Sequence, residues 1–261
     1  MEICSRDTYL LIRRIGGRFN LKKPTHKSSK GSHSTHHRGS SSDTHPRHKF
    51  EHEHDDVVLG LDCTGWIKEW YKWAFETGGD NVFLMPSPDK MSFLPEVSGQ
   101  ALNKGGTNKE EGVWFLGYPF FNYTSEGTVI RNVNLPCGRL HFLAPVYNSH
   151  PSKELYPSIK SNQDLFKIAQ DDVDKVYYLE VNLDGVNLSG CRVPIKQPFS
   201  IQLSKNSVMG IQSAQMDIVS DGYWIFIKEL PLGDHILRLK GYSPLYKLDV
   251  EFHLSVRGPC K

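Results

Sequence analysis

Residues 247–256 read KLDVEFHLSV, and this stretch decides the fold class. Leu248, Val250, Phe252, Leu254 and Val256 alternate with Lys247, Asp249, Glu251, His253 and Ser255. A period of two sends the apolar set to one face of a strand and the polar set to the other. Such a strand belongs to a sheet with one face in a core and one in water. Working back from it, HILRLKGY (235–242), YWIFIKEL (223–230) and FSIQL (199–203) follow one another closely with turn residues between them. In VYYLEVNLDGVNL (176–188), Asp184-Gly185 lies between two extended runs, a strong hairpin signal. RLHFLAPVYN (139–148) reads as a strand buried on both faces and closed by Pro145. TVIRNVNL (128–135) alternates Val129, Arg131, Val133 and Leu135 against Thr128, Ile130 and Asn132, and VWFLGYPFF (113–121) is a dense apolar run. Many short strands predict a mostly β domain of β-sandwich or jelly-roll type.

Two stretches break that period. In WIKEWYKWAFE (66–76), Trp66, Trp70, Trp73 and Ala74 recur at i, i+4, i+7 and i+8, one face of an α-helix. Ile67, Tyr71 and Phe75 widen the stripe, with Thr64 as a candidate N-cap and Gly78-Gly79 as a stop. Residues 162–173 (NQDLFKIAQDDV) align Leu165, Ile168, Ala169 and Val173 on a second helical face. Residues 80–112, punctuated by Pro86, Pro88, Pro95, Gly99 and Gly105-Gly106, read as a long irregular connection.

Upstream of Val57 the composition changes. Residues 20–56 carry almost nothing apolar to offset the entropy of ordering them. We therefore divide the 261 residues into a disordered His/Ser-rich tail, 1–56, and a single β-rich domain, 57–261. The net charge of +2 hides an uneven distribution. Residues 1–49 hold 11 Lys and Arg against 3 acids, whereas residues 57–261 are close to neutral. A basic tail suits nucleic acid, an anionic surface or an acidic partner, and the domain itself has no basic footprint. The only apolar run in the tail, Tyr9-Leu10-Leu11-Ile12, is too short for the hydrophobic region of a signal peptide. No stretch reaches the length of a membrane helix. The expectation is an unexported protein, cytoplasmic or particle-associated. Five scattered cysteines form no disulfide framework, although Cys137 and Cys191 would be the pair to form in an oxidising compartment.

The order GWIKEWYKWAFE, VWFLGY, LPCGRLHFLAPVYN, SDGYWIFIKELPLGDHILRLKGY resembles a family of uncharacterised, mostly exported archaeal and bacterial proteins. That family has a tryptophan-rich segment, a VWFLAG-like strand and a closing DGYW…GxH hairpin, and the resemblance covers about residues 64–255. It implies an exported β domain without an established activity and carries over no catalytic residue. His235 matches the family's hairpin histidine.

Candidate chemistry is sparse. Eight of the 12 histidines lie in the tail, at His26, His33, His36, His37, His45, His48, His52 and His54. Neutral imidazoles at this density are ligands for zinc, copper or nickel, with Glu51, Glu53, Asp55 and Asp56 beside them. The bland alternative is a solvated linker. Glu69, between Trp66 and Trp70, is a candidate general acid raised by its indole neighbours, or an edge residue paired with Lys72. The tryptophan row itself is a candidate sugar-stacking surface, although helical spacing favours core. Asp221 before Gly222 reads as a turn aspartate, and His235 as a strand-start residue bonded to nearby backbone. His141, His253, Asp217 and Glu180 complete the acid–base inventory. No GxSxG, HExxH, P-loop or GxGxxG motif is present. Two function classes follow. The favoured one is a non-enzymatic binding or structural module that meets a protein or glycan surface. The other is a hydrolase or metal-dependent enzyme with its site near Glu69, Asp221 and His235.

Overall fold

The computed structural model describes residues 57–76, 93–94, 101–102, 111–117, 128–135, 139–203, 215–227 and 229–257. The expected tail, Gly78-Gly79 and Cys137 lie outside them. In chain order the elements are α1 (Cys63–Glu76), β1 (Phe93–Leu94), β2 (Ala101–Leu102), β3 (Glu111–Phe115), β4 (Val129–Asn134) and β5 (Arg139–Ser149). Then come α2 (Asn162–Val173), β6 (Tyr178–Leu183), β7 (Val186–Leu188), β8 (Cys191–Arg192), β9 (Ile195–Gln202), β10 (Gln215–Ile227), β11 (Gly233–Tyr242) and β12 (Lys247–Val256).

The strands build a sandwich-like pair of curled sheets. Sheet one runs β1-β4-β12-β11-β6-β7, and sheet two runs β2-β3-β5-β10-β8 with β9 also on β10. Both sheets are mixed: β1 with β4, β4 with β12, and β3 with β5 pair in parallel. The alternation in β12 is realised residue by residue, with Leu248, Val250, Phe252, Leu254 and Val256 buried and the five residues between them at the surface. Its wet face carries a cross-strand charge ladder, Glu251 to Arg238 and Asp249 to Lys240. The sheets meet where Gly241 of β11 passes Val146 of β5. A Cβ there would lie 2.3 Å from the Val146 carbonyl oxygen, so no other residue fits.

Helix α1 is buried against sheet two. Trp66 packs edge-on to Phe115, Trp70 to Trp224, and Tyr71 tilts onto Phe199, with ring centroids 6.3, 5.2 and 5.7 Å apart. Ile67, Tyr71 and Phe75 are as buried as the tryptophans, so the apolar stripe is wide. The cap is Asp62 rather than Thr64. Its Oδ1 accepts the Gly65 N–H at 2.6 Å, and a carboxylate also complements the positive helix end. Helix α2 spans the expected residues. Ser161 caps it by accepting from the Asp164 N–H, and Leu165, Ala169 and Val173 are buried, with the helix against β5, β9 and β10.

Three further expectations need correction. The connection expected over 80–112 contains β1, β2 and the start of β3. Pro145 does not close β5, which continues to Ser149. A bulge opposite Tyr223/Trp224 absorbs the proline, because one residue is left out of the ladder between Pro145 and Tyr147. Asp221-Gly222 is the middle of β10 rather than a turn, paired with Ser149 and Asn148. Glycine is required there by close approach, since a Cβ on Gly222 would sit 2.7 Å from the Tyr147 carbonyl oxygen.

Candidate functional site

Asp221 is 1% exposed on β10, where a lone carboxylate would be costly, and its neighbours supply what burial removes. Arg192 from β8 grips it with Nε to both oxygens at 3.1 Å and Nη2 to Oδ2 at 2.6 Å. The Gly222 N–H donates to Oδ1 at 2.8 Å. Arg192 also reaches Asp174, just past α2, at 2.6 Å. Burial works against the guanidinium charge, but the bonds to Asp221 and Asp174 outweigh it and raise its pKa. This charge cluster ties β8, β10 and the end of α2 together.

His235 performs a similar task in sheet one. Asp184 and Gly185, at φ +53° and +85°, form the two-residue turn between β6 and β7. Asp184 Oδ1 accepts the Ile236 N–H at 2.8 Å, and Oδ2 meets His235 Nδ1 at 2.6 Å. His235 Nε2 lies 2.8 Å from the Pro231 carbonyl oxygen. The imidazole thus joins two turns at one end of the sheet.

Glu69 on α1 accepts from Lys72 at 2.8 Å. Trp66 and Trp70 are within the core, and each indole N–H donates to a carbonyl, Val58 O at 2.7 Å and Leu116 O at 2.9 Å. Glu69, Asp221 and His235 therefore stand on a helix, on sheet two and on sheet one, each held by a different partner. Of the remaining inventory, His141 stacks on Phe226, His253 bonds Glu251, Asp217 accepts from Ser200, and Glu180 accepts from Tyr178. Among the described residues, no group of three or more His, Cys, Asp or Glu side chains is placed to hold a metal. None of the described helices is long and apolar enough to cross a membrane. The tail histidines His33, His36, His37, His45, His48, His52 and His54 lie outside the described residues.

Three polar groups packed into or against the core were not among the expected site residues. Tyr71 shares its hydroxyl with Ser220 at 2.7 Å and accepts from Asn148 Nδ2 at 2.7 Å. Burial raises its pKa, so the phenol stays neutral. Arg131 faces inward on β4 at 1% exposure and donates to the Gly117 carbonyl oxygen at 2.7 Å. Desolvation lowers its pKa to about 9. His150, just past β5, is wedged against Tyr71 and Phe75 with centroids 5.5 and 5.4 Å away, and desolvation lowers its pKa to about 4.

Two surface features remain. Strand β7 covers β6 only from Val181 to Leu183, so Tyr178–Glu180 form a sheet edge among the described residues. There Tyr177, Tyr178 and Leu179 are 63, 42 and 38% exposed in succession. The Tyr178 ring stacks on Tyr242, which lies beneath the Lys247 ammonium, so the aromatic row continues inward across the sheet. A pocket of about 180 Å³ is lined by Asn148, Ser149, His150, Pro151, Leu155, Tyr156 and Tyr246.

No family model, curated protein or solved structure matches this chain.

Proposed function

We propose that this protein is a non-enzymatic interaction module that receives a protein partner along the open edge of β6. The observation behind this reading is the run Tyr177-Tyr178-Leu179, three large exposed side chains at the start of β6, where its side away from β11 is uncovered among the described residues. The N–H and C=O groups of Val181 and Leu183 face β7, so by alternation those of Leu179 point to the same, open side. Unpaired backbone beside exposed apolar side chains is the chemistry of strand addition. Tyrosine is also a side chain enriched at interfaces. Asp221 and His235, by contrast, are engaged in ties that hold elements together, whereas a hydrolytic site needs converging groups. The tail adds a second, independent contact: basic residues for an anionic surface or nucleic acid, and imidazoles for weakly held zinc, copper or nickel.

Leu179→Pro is the test. Proline removes only an outward N–H and accepts extended backbone, so the fold stands while strand addition is blocked. Capture from the native source with wild-type and Leu179→Pro protein should recover a partner with the first and lose it with the second. Partner recovery that is equal for both excludes this edge. Turnover of an ester, glycoside or phosphate substrate that His235→Asn abolishes at an unchanged melting temperature would instead establish the enzyme.

A further inference from the structure

Six of the eight large apolar side chains exposed among the described residues gather at one end of the sandwich. Tyr177, Tyr178 and Leu179 open β6, Leu155 and Tyr156 line the pocket beside His150, and Leu245 precedes its wall residue Tyr246. Two routes of contact join the groups. The Tyr177 N–H donates to the Tyr242 carbonyl oxygen at 3.0 Å, and Tyr246 lies four residues on from Tyr242. By the other route, Lys175 reaches Asp172 at 3.4 Å, and Asp172 accepts from the pocket residue Ser149 at 3.0 Å. Four residues span at most about 14 Å, so the start of β6 and the pocket belong to one surface.

The pocket's chemistry selects what enters it. At about 180 Å³ it is smaller than the roughly 300–1,000 Å³ of small-molecule sites and comparable to the ~150 Å³ cavity that holds a benzene ring. Its polar atoms are committed within the fold. Asn148 Nδ2 donates to Tyr71, the Asn148 N–H and C=O both meet the Tyr246 hydroxyl at 3.2 and 3.0 Å, and Ser149 donates to Asp172. A sugar would find few partners there. A charged side chain would find no counter-ion in the lining, since His150 stays neutral down to about pH 4. Rings are what the walls offer: Tyr156, His150, and Tyr246 held by its stack on Tyr147 at 4.3 Å. An aromatic guest gains offset or edge-on contacts with them.

We infer that the pocket holds one uncharged aromatic side chain of the protein that lies along β6, an anchor set off from the paired segment by about four residues of extended chain. The inference rests on the β6 reading for the identity of the partner and on the pocket for the anchor. Main-chain pairing supplies affinity with little choice of sequence, and a side-chain pocket supplies the choice and fixes the register.

N-acetyl-phenylalaninamide is the probe, titrated into the full chain and followed by the imidazole resonances in NMR, with His150→Gln identifying the signal of His150. That signal should shift saturably with about millimolar affinity. Leu155→Asp, a change at the exposed rim, should weaken binding about tenfold or more at an unchanged melting temperature. N-acetyl-alaninamide and methyl glucoside should leave the signal unmoved, and Leu179→Pro should bind the probe as wild type does. In capture from the native source, Leu155→Asp should lose the partner that Leu179→Pro loses. No shift at His150, binding of the glucoside equal to that of the amide, an affinity indifferent to Leu155→Asp, or undiminished partner recovery by that variant would overturn the anchor. Probe binding as expected, with the partner still held by Leu179→Pro and lost by Leu155→Asp, would keep the pocket and remove the edge, so the two readings fail separately.

Discussion

Desolvation beside Tyr71 and Phe75 disfavours the charged form of His150, and its pKa falls to about 4. In the unfolded chain a histidine protonates near 6.5. Between those values the unfolded state binds a proton that the native state refuses, so stability declines as pH is lowered from 6.5 towards 4. The residue keeps some surface accessible, so we expect a loss of about 2 kcal/mol rather than the full value of the shift. Urea midpoints at pH 7 and 4.5 for wild type and His150→Gln measure it, the variant separating this imidazole from the other eleven. The wild type should lose more than the variant on acidification; equal losses would show that His150 contributes nothing to the acid limb.

At the scale of elements, the β6–β7 turn is held by one carboxylate. Asp184 stands at φ +53° and ties Ile236 and His235 to the turn. Asp184→Ala loses both bonds and leaves a Cβ in the left-handed region, at a cost of about 2–3 kcal/mol. Asp184→Gly relieves the backbone but not the lost bonds, and Asp184→Asn keeps most of both. Equilibrium unfolding should rank them Asn, Gly, Ala in falling stability, and identical values for Asn and Ala would remove the tie from the account. Two Asp-Gly pairs occur in this chain, and only Asp184-Gly185 is a turn. Local chemistry is the same at Asp221-Gly222, and the difference is tertiary: Arg192 neutralises the aspartate and the Tyr147 backbone excludes a side chain. For the same reason β12 and the tryptophan helix were legible and β1 and β2 were not. Alternation and helical spacing recur over 10 and 14 residues in the first two, whereas two-residue strands have no period to read. The candidate site was less legible than the fold. His150 and Tyr71 become special only through what surrounds them, and one sequence does not show surroundings.

For the whole molecule, the tail and the domain should behave as chemically separate units towards metal. Replacing His33, His36, His37, His45, His48, His52 and His54 with serine in the full chain should abolish zinc, copper or nickel uptake in calorimetric titration. In the wild type, uptake should weaken as pH falls through about 6.5, since only neutral imidazole is a ligand. Metal should leave the melting temperature unchanged, because the ligands lie in the tail. Retained uptake by the variant would move the site into the β domain. The mixed character of the sheets has a consequence for synthesis. Val129 of β4 pairs with Val250 of β12, and Phe252 with Arg131, so the middle of sheet one is closed by two strands far apart in the chain. Loop closure over so many residues must precede any reward from the contacts, which makes such pairings slow. A ribosome releases β4 long before β12, and until then the β4 edge and the Arg131 side chain have no finished layer to enter. Sheet one therefore cannot be completed before β12 has emerged, and the nascent chain passes through a stage in which chaperone binding and aggregation compete for the same exposed strand.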